Sequence, residues 1–186
     1  MEVQPELTSE EVLFKGRAFS VIERSFEVRG RRISYDVVRR RPAVVIMPLD
    51  GGTVYMIKQF RGSIGKWLWE FPAGTLEEGE DPRSCALREL EEETGLKAGR
   101  LEELGKFFAS PGYTDEVLYS YLATDLEVGE SELEEDEILK VFRFPLREVV
   151  QMTIRGEIED SKTLATLALF LIKRVDPSEA LQLLMR

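Results

Sequence analysis

The sequence predicts an α+β fold: a mixed sheet flanked by helices, with a small β unit ahead of it. Three observations carry that expectation. Short β-branched and aromatic runs punctuated by turn residues fill the first part of the chain. One strongly capped helix follows. More strands and then amphipathic helices close the chain, so the two kinds of element come in mixed order. At 186 residues there is room for one core-forming domain and a small extra unit. The expected division is residues 1–41, an N-terminal β subdomain, and residues 42–186, the main domain.

The elements are expected in the following order. Residues 18–27 and 32–39 read as strands joined by the turn-like Arg29-Gly30. Residues 43–49 form an apolar, β-branched run suited to a buried central strand, and Asp50-Gly51-Gly52 turns the chain into a partner strand over 53–60. Residues 67–71 make a short strand before Pro72, and a Gly/Glu-rich loop covers 73–80. Asp81 is a good N-cap, Pro82 suits the first helical position and Gly95 suits the position after the last turn, which predicts a helix over Pro82–Thr94. Strands over 101–108 and 116–123 flank the loop 109–115. An acidic loop over 127–136 leads to a strand over 138–144. Amphipathic helices span Leu146–Ile154 and 161–175, and a short one follows Pro177.

Composition removes several kinds of chemistry. The 25 basic and 35 acidic side chains give a net charge of −10, a poor basis for non-specific nucleic-acid binding. An anionic substrate would need a local source of positive charge, and a divalent metal is one. A single cysteine, Cys85, rules out an intramolecular disulfide. The absence of histidine excludes a Ser-His-Asp triad, a Cys-His dyad and histidine-ligated zinc. A general base must then be a carboxylate, Lys, Tyr or water activated by a metal. No apolar run is long enough to cross a bilayer, and the first ten residues lack the basic-then-apolar pattern of a signal peptide, so the cytoplasm is the expected location.

On a helical wheel of Pro82–Thr94, Leu87, Leu90 and Thr94 share one face, the expected core face. Glu89, Glu92 and Glu93 share another, because residues three and four apart are neighbours. Like charges at that spacing repel by a few tenths of a kcal/mol, roughly, per pair. They also lie in the half of the helix where the dipole disfavours anions. Acidic helix faces are mostly just solvated. A cation would reverse the sign of this arrangement, and oxygen ligands without His or thiolate suit Mg2+ or Mn2+.

Residues 74–96 settle the choice. Gly74, Glu80, Arg88, Glu89, Leu90, Glu92, Glu93, Gly95 and Leu96 fall at every fixed position of G-x5-E-x7-R-E-U-x-E-E-x-G-U, where U is aliphatic. This resembles the Nudix box. The resemblance implies the Nudix fold, an α/β/α sandwich around a mixed sheet, and hydrolysis of a nucleoside diphosphate linked to another group. It implies Glu89 and Glu93 as principal metal ligands, Glu92 as a further ligand with a part in catalysis, and the Ala73 carbonyl as another. Glu80 and Arg88 would tie loop to helix. Mg2+ is the implied cofactor, Mn2+ an alternative.

Features outside the box resemble the ADP-ribose pyrophosphatase subfamily. They are Ser110-Pro111-Gly112, with Pro111 sixteen residues after Gly95, the segments Gln59-Phe60-Arg61 and Trp69-Glu70-Phe71-Pro72-Ala73-Gly74, and the N-terminal β unit. That resemblance implies Arg61, Glu70, Pro111 and Gly112 as substrate-binding residues. It gives residues 1–41 a role in substrate binding and in forming a homodimer, with Phe19, Phe26 and Tyr35 available to stack on adenine. It places the general base in the acidic loop, with Glu137 first and Glu135 second. The implied reaction is Mg2+-dependent hydrolysis of ADP-ribose to AMP and ribose 5-phosphate. The alternatives are a pyrophosphatase for another nucleotide sugar, NADH or a dinucleoside polyphosphate, and a non-catalytic ADP-ribose-sensing module. No nucleic-acid or membrane partner is expected.

Overall fold

The computed structural model describes residues 4–129 and 138–185. The chain divides into two compact units. The first holds residues 1–42 together with Phe108–Val117, and the second holds Ala43–Phe107 and Leu118–Arg186. The segment Phe108–Val117 thus counts with the first unit, although it lies far beyond residue 41 in the chain.

The first unit is an antiparallel sheet of β1 (Glu6–Lys15), β2 (Ser20–Val28) and β3 (Arg31–Arg39), in that order. β2 and β3 join through Arg29 and Gly30, both at positive φ, as a two-residue hairpin turn with the twist of its strands requires. Segment 108–117 is stitched to β3: Val38 donates its N–H to the Tyr113 carbonyl at 2.7 Å, and Thr114 Oγ1 donates to the Val38 carbonyl at 2.8 Å. Arg24 and Arg39 both pair with Asp115, at 3.0 and 3.6 Å.

The second unit is built on a seven-stranded mixed sheet. Its path runs β10 (Leu139–Pro145), β5 (Thr53–Arg61), β4 (Ala43–Asp50), β9 (Val117–Val128), β8 (Leu96–Phe108), with β6 (Lys66–Glu70) on β5 and β7 (Ala73–Thr75) on β4. β4 pairs with β9 in parallel over Ala43–Pro48. Its other edge is divided: β5 takes only Leu49 and Asp50, next to the Gly51-Gly52 turn, and β7 takes Ala43, Val44 and Val45. This division lets the chain leave the sheet at β7 and run directly into the loop before α1 (Pro82–Thr94).

Strand alternation assigns each face of β4 to a different helix layer. Val44 and Ile46 pack with Cys85, Ala86 and Leu90 of α1. Val45 and Met47 pack with Val149, Val150 and Met152 of α2 (Leu146–Ile154) and with Leu167 and Phe170 of α3 (Ser161–Arg174). A mixed sheet with helices on both faces is therefore present, as expected. A last helix, α4 (Pro177–Leu184), rests on α2, where Gln151 donates to the Leu183 carbonyl at 3.1 Å.

Several sequence expectations change. β1 was not foreseen as a strand. β8 starts at Leu96 rather than 101, β9 runs on to Val128, and the loop over 73–80 opens with the short strand β7. The core face of α1 is Cys85, Ala86 and Leu90, whereas Leu87 is exposed. Leu90 supplies the bulk, about 2 kcal/mol by burial, and small Cys85 and Ala86 let the helix lie close to β4. Among the described residues, no helix is long and apolar enough to cross a membrane.

Candidate active site

α1 begins where the sequence puts it. Asp81 caps it, accepting from the N–H groups of Arg83 and Ser84, and Gly95 closes it in the left-handed conformation at φ 69°. Glu89 and Glu93 turn inward with the apolar residues: Glu93 is 1% exposed and Glu89 9%. Glu92, one position round the helix, is half-buried. The structure thus places two of the three carboxylates inside the protein rather than on a solvated face.

Two contacts make that burial tolerable. Arg88 donates from Nη1 to Glu89 Oε1 and to Glu92 Oε2, both at 2.8 Å, and from Nε and Nη2 to the two Glu80 oxygens at 3.0 Å. Charge-assisted bonds of this kind contribute roughly 1.5–3 kcal/mol each, more than the few tenths, roughly, lost to each like-charge pair. The Arg88 guanidinium beside it holds the Glu80 carboxyl down at about 2. Glu93 Oε2 accepts the Ala73 N–H at 2.8 Å, which fixes the helix to β7. In an extended strand the N–H and C=O of one residue leave on the same side, so the Ala73 carbonyl faces the same way.

Gly74 completes the junction. A Cβ at this position would lie 1.8 Å from Glu89 Cδ, so only glycine lets α1 approach β7 this closely. The box therefore folds as one packed object. Among the described residues, however, no three acidic side chains converge as a ready metal cluster. Arg88 draws Glu89 and Glu92 to one side, and Ala73 takes an oxygen of Glu93.

Arg61 and Glu70 are brought together. Arg61 donates from Nε to Glu70 Oε1 at 2.8 Å and from Nη2 to Oε2 at 2.6 Å, a bidentate pair across β5 and β6. Glu70 is fully buried and Arg61 about one-third exposed. Burial pushes the Glu70 carboxyl up, but the Arg61 hydrogen bond and the Lys162 charge outweigh it and hold it below the usual range. Lys162, which the sequence reading missed, contacts Glu70 Oε2 and also Asp160 Oδ1, at 2.9 Å. Its position at the start of an amphipathic helix reads as a solvated charge. The one signal available was its place beside Asp160, the cap of α3.

Pro111 and Gly112 belong to the first unit and line a cavity of about 150 Å3 there, with Arg24, Phe26, Tyr35 and Asp115 among its walls. Phe26 and Tyr35 meet edge to face at 6.0 Å, while Phe19 packs with Phe14 instead. Cys85 is fully buried, with its thiol pushed up to about 12 by burial. Glu135 and Glu137 lie outside the described residues.

The NUDIX domain family matches residues 39–167. An ADP-ribose pyrophosphatase of Bacillus subtilis (strain 168) is 35% identical, covering 94% of either chain. An ADP-ribose pyrophosphatase of Mycobacterium tuberculosis is 38% identical over 86% of this chain and 80% of its own. A methanol dehydrogenase activator of Bacillus methanolicus is also 38% identical, over 82% and 85%. A crystal structure described as an ADP compounds hydrolase superposes with a TM-score of 0.81 at 25% identity, covering 95% of this chain and all of its own.

Proposed function

The chain belongs to the NUDIX family, and from that premise we propose that it is a Mg2+-dependent hydrolase that splits ADP-ribose into AMP and ribose 5-phosphate. The observation that carries the reading is the packing of Glu89 and Glu93 against β7, where Gly74 leaves no room for a side chain. Costly buried carboxylates on a loop–helix junction make sense as a cation cradle. The two relatives named as ADP-ribose pyrophosphatases, alike over most of both chains, supply the substrate.

The residues fit a hard cation in type. Glu89, Glu92, Glu93 and the Ala73 carbonyl offer only oxygen. Glu89 and Glu92 would have to turn from the Arg88 guanidinium to take a metal. Bound Mg2+ supplies positive charge against the diphosphate and lowers the pKa of the attacking water.

The protein's own residues do the rest. Arg61, oriented by Glu70, offers its exposed edge to a phosphate. Pro111 and Gly112 bind substrate at the first unit's own cavity, where Phe26 and Tyr35 are available to stack on adenine. A carboxylate of the acidic loop, Glu137 first and Glu135 second, takes the proton of the attacking water, with Glu92 beside the metal. The exposed Leu7, Val12, Phe14 and Ile33 of the three-stranded sheet support a homodimer in which a second copy covers them. The proposed compartment is the cytoplasm, where a lone buried thiol needs no oxidising environment.

AMP release with Mg2+ tests the reading, with ADP-ribose compared against GDP-mannose, NADH and diadenosine polyphosphates. Preferential ADP-ribose turnover is expected. Turnover of another substrate alone would reassign the leaving group, and tight ADP-ribose binding without cleavage would make the chain a sensing module. Light scattering of the purified protein checks the dimer.

A further inference from the structure

The pair Arg61–Glu70 is held by a third charge that the reaction scheme leaves unused. Glu70 is fully buried and accepts from Arg61 through both oxygens. Lys162, 15% exposed, reaches Glu70 Oε2 from the first turn of α3. On its other side Lys162 donates to Asp160 Oδ1. Asp160 is itself committed to the helix cap, where Oδ2 accepts from the Thr163 N–H at 2.9 Å and from Thr163 Oγ1 at 2.6 Å. Thr163 Oγ1 in turn accepts the Phe71 N–H at 2.9 Å, two residues before β7.

Arg61 and Lys162 are both cations and Glu70 and Asp160 both carboxylates, so the four groups sum to no net charge; what Lys162 adds is a second hold on the buried Glu70 carboxylate from the α3 side. Arg61 spends only Nε and Nη2 on Glu70; among the described residues, Nη1 has no partner. Its fork is fixed and its outer edge is open.

We propose that Lys162 is a positioning residue for Arg61: by holding buried Glu70 from the α3 side, it keeps the guanidinium oriented for an anionic diphosphate. The inference rests on the diphosphate-hydrolase reading above. Lys162 touches no substrate in this scheme and acts through Glu70.

A double-mutant cycle on the full chain tests it, with ADP affinity measured by calorimetry and kcat and KM measured on ADP-ribose with Mg2+. Lys162→Met should raise the ADP dissociation constant and the KM about tenfold, the loss of one charge-assisted contact, with kcat within about twofold. Lys162→Arg should restore most of the affinity. Lys162→Gln retains a donor without the charge; it should behave like Lys162→Met and serves if that variant does not fold. In an Arg61→Met background, replacing Lys162 should change ADP affinity no further. Independent, additive losses would overturn the proposal, as would unchanged affinity or a fall in kcat and melting temperature at constant KM. If the cycle shows coupling in ADP affinity but ADP-ribose is not turned over, the substrate reading falls and this inference stands. If ADP-ribose is turned over without coupling, the reverse holds.

Discussion

Gly74 and Glu89 are in such close contact that the space a Cβ on residue 74 would fill is already taken by the Glu89 carboxylate, 1.8 Å away. Gly74→Ala must therefore push α1 from β7 or swing Glu89 off its position. A displacement of this size should lower turnover about a hundredfold, with the fold retained by circular dichroism. Wild-type turnover by this variant would show that the junction is looser than described.

Glu93 has a structural contact and a proposed catalytic one, and Glu93→Gln separates them. The amide oxygen can still accept the Ala73 N–H, so the melting temperature should hardly move. Turnover with saturating Mg2+ should fall on the order of a thousandfold, as for other lost electrostatic groups. Comparable falls in stability and activity would make Glu93 a structural residue only.

Acid sensitivity should follow Glu80. Its carboxyl sits at about 2 in the folded chain against an ordinary 4.5, so the folded state favours the ionised form. That contribution is fully present above pH 4.5 and is lost as pH falls towards 2. Glu80→Gln should flatten the stability profile across this window in urea titrations at stepped pH, leaving the slope near neutrality unchanged.

Cys85 is a probe of global unfolding. It is fully buried, and its thiol is pushed up to about 12, so it should resist iodoacetamide in the native state at pH 8 and react only in denaturant. Alkylation of the native protein within minutes would mean that the α1–β4 contact opens readily.

Gln59 offers a stabilising change. Its Oε1 is buried with no hydrogen-bond partner among the described residues. An unmet polar group of this kind costs about 1–3 kcal/mol. Gln59→Leu should raise the urea midpoint by an amount equivalent to about 1 kcal/mol, and a lowered midpoint would point to a bridging water there.

The sequence was most legible where chain chemistry is local. Asp81, Pro82 and Gly95 set the ends of α1 to the residue, and the box positions marked the carboxylates that meet β7. It was least legible where tertiary contact decides. β1 shows no alternation because every one of its residues is exposed, so periodicity had nothing to report. The helical wheel put Leu87 on the core face of α1 with Leu90, but the buried arc runs through Leu90, Ala86 and Cys85 on the other side of Leu90, which leaves Leu87 exposed at its edge. Arg61 was identified, but its partnership with Lys162 joins residues a hundred positions apart through Glu70, which no spacing rule reveals.

The divided edge of β4 also bears on motion. Strand β4 is hydrogen-bonded on both edges over Ala43–Val45 and carries a helix layer on each face. Its amides should exchange with deuterium only through whole-unit opening. β7 is paired to that same stretch along one edge, so its backbone should exchange slowly as well. The backbone of the carboxylate cradle is then a fixed base, and the adjustment a metal requires falls to the Glu89 and Glu92 side chains that leave Arg88.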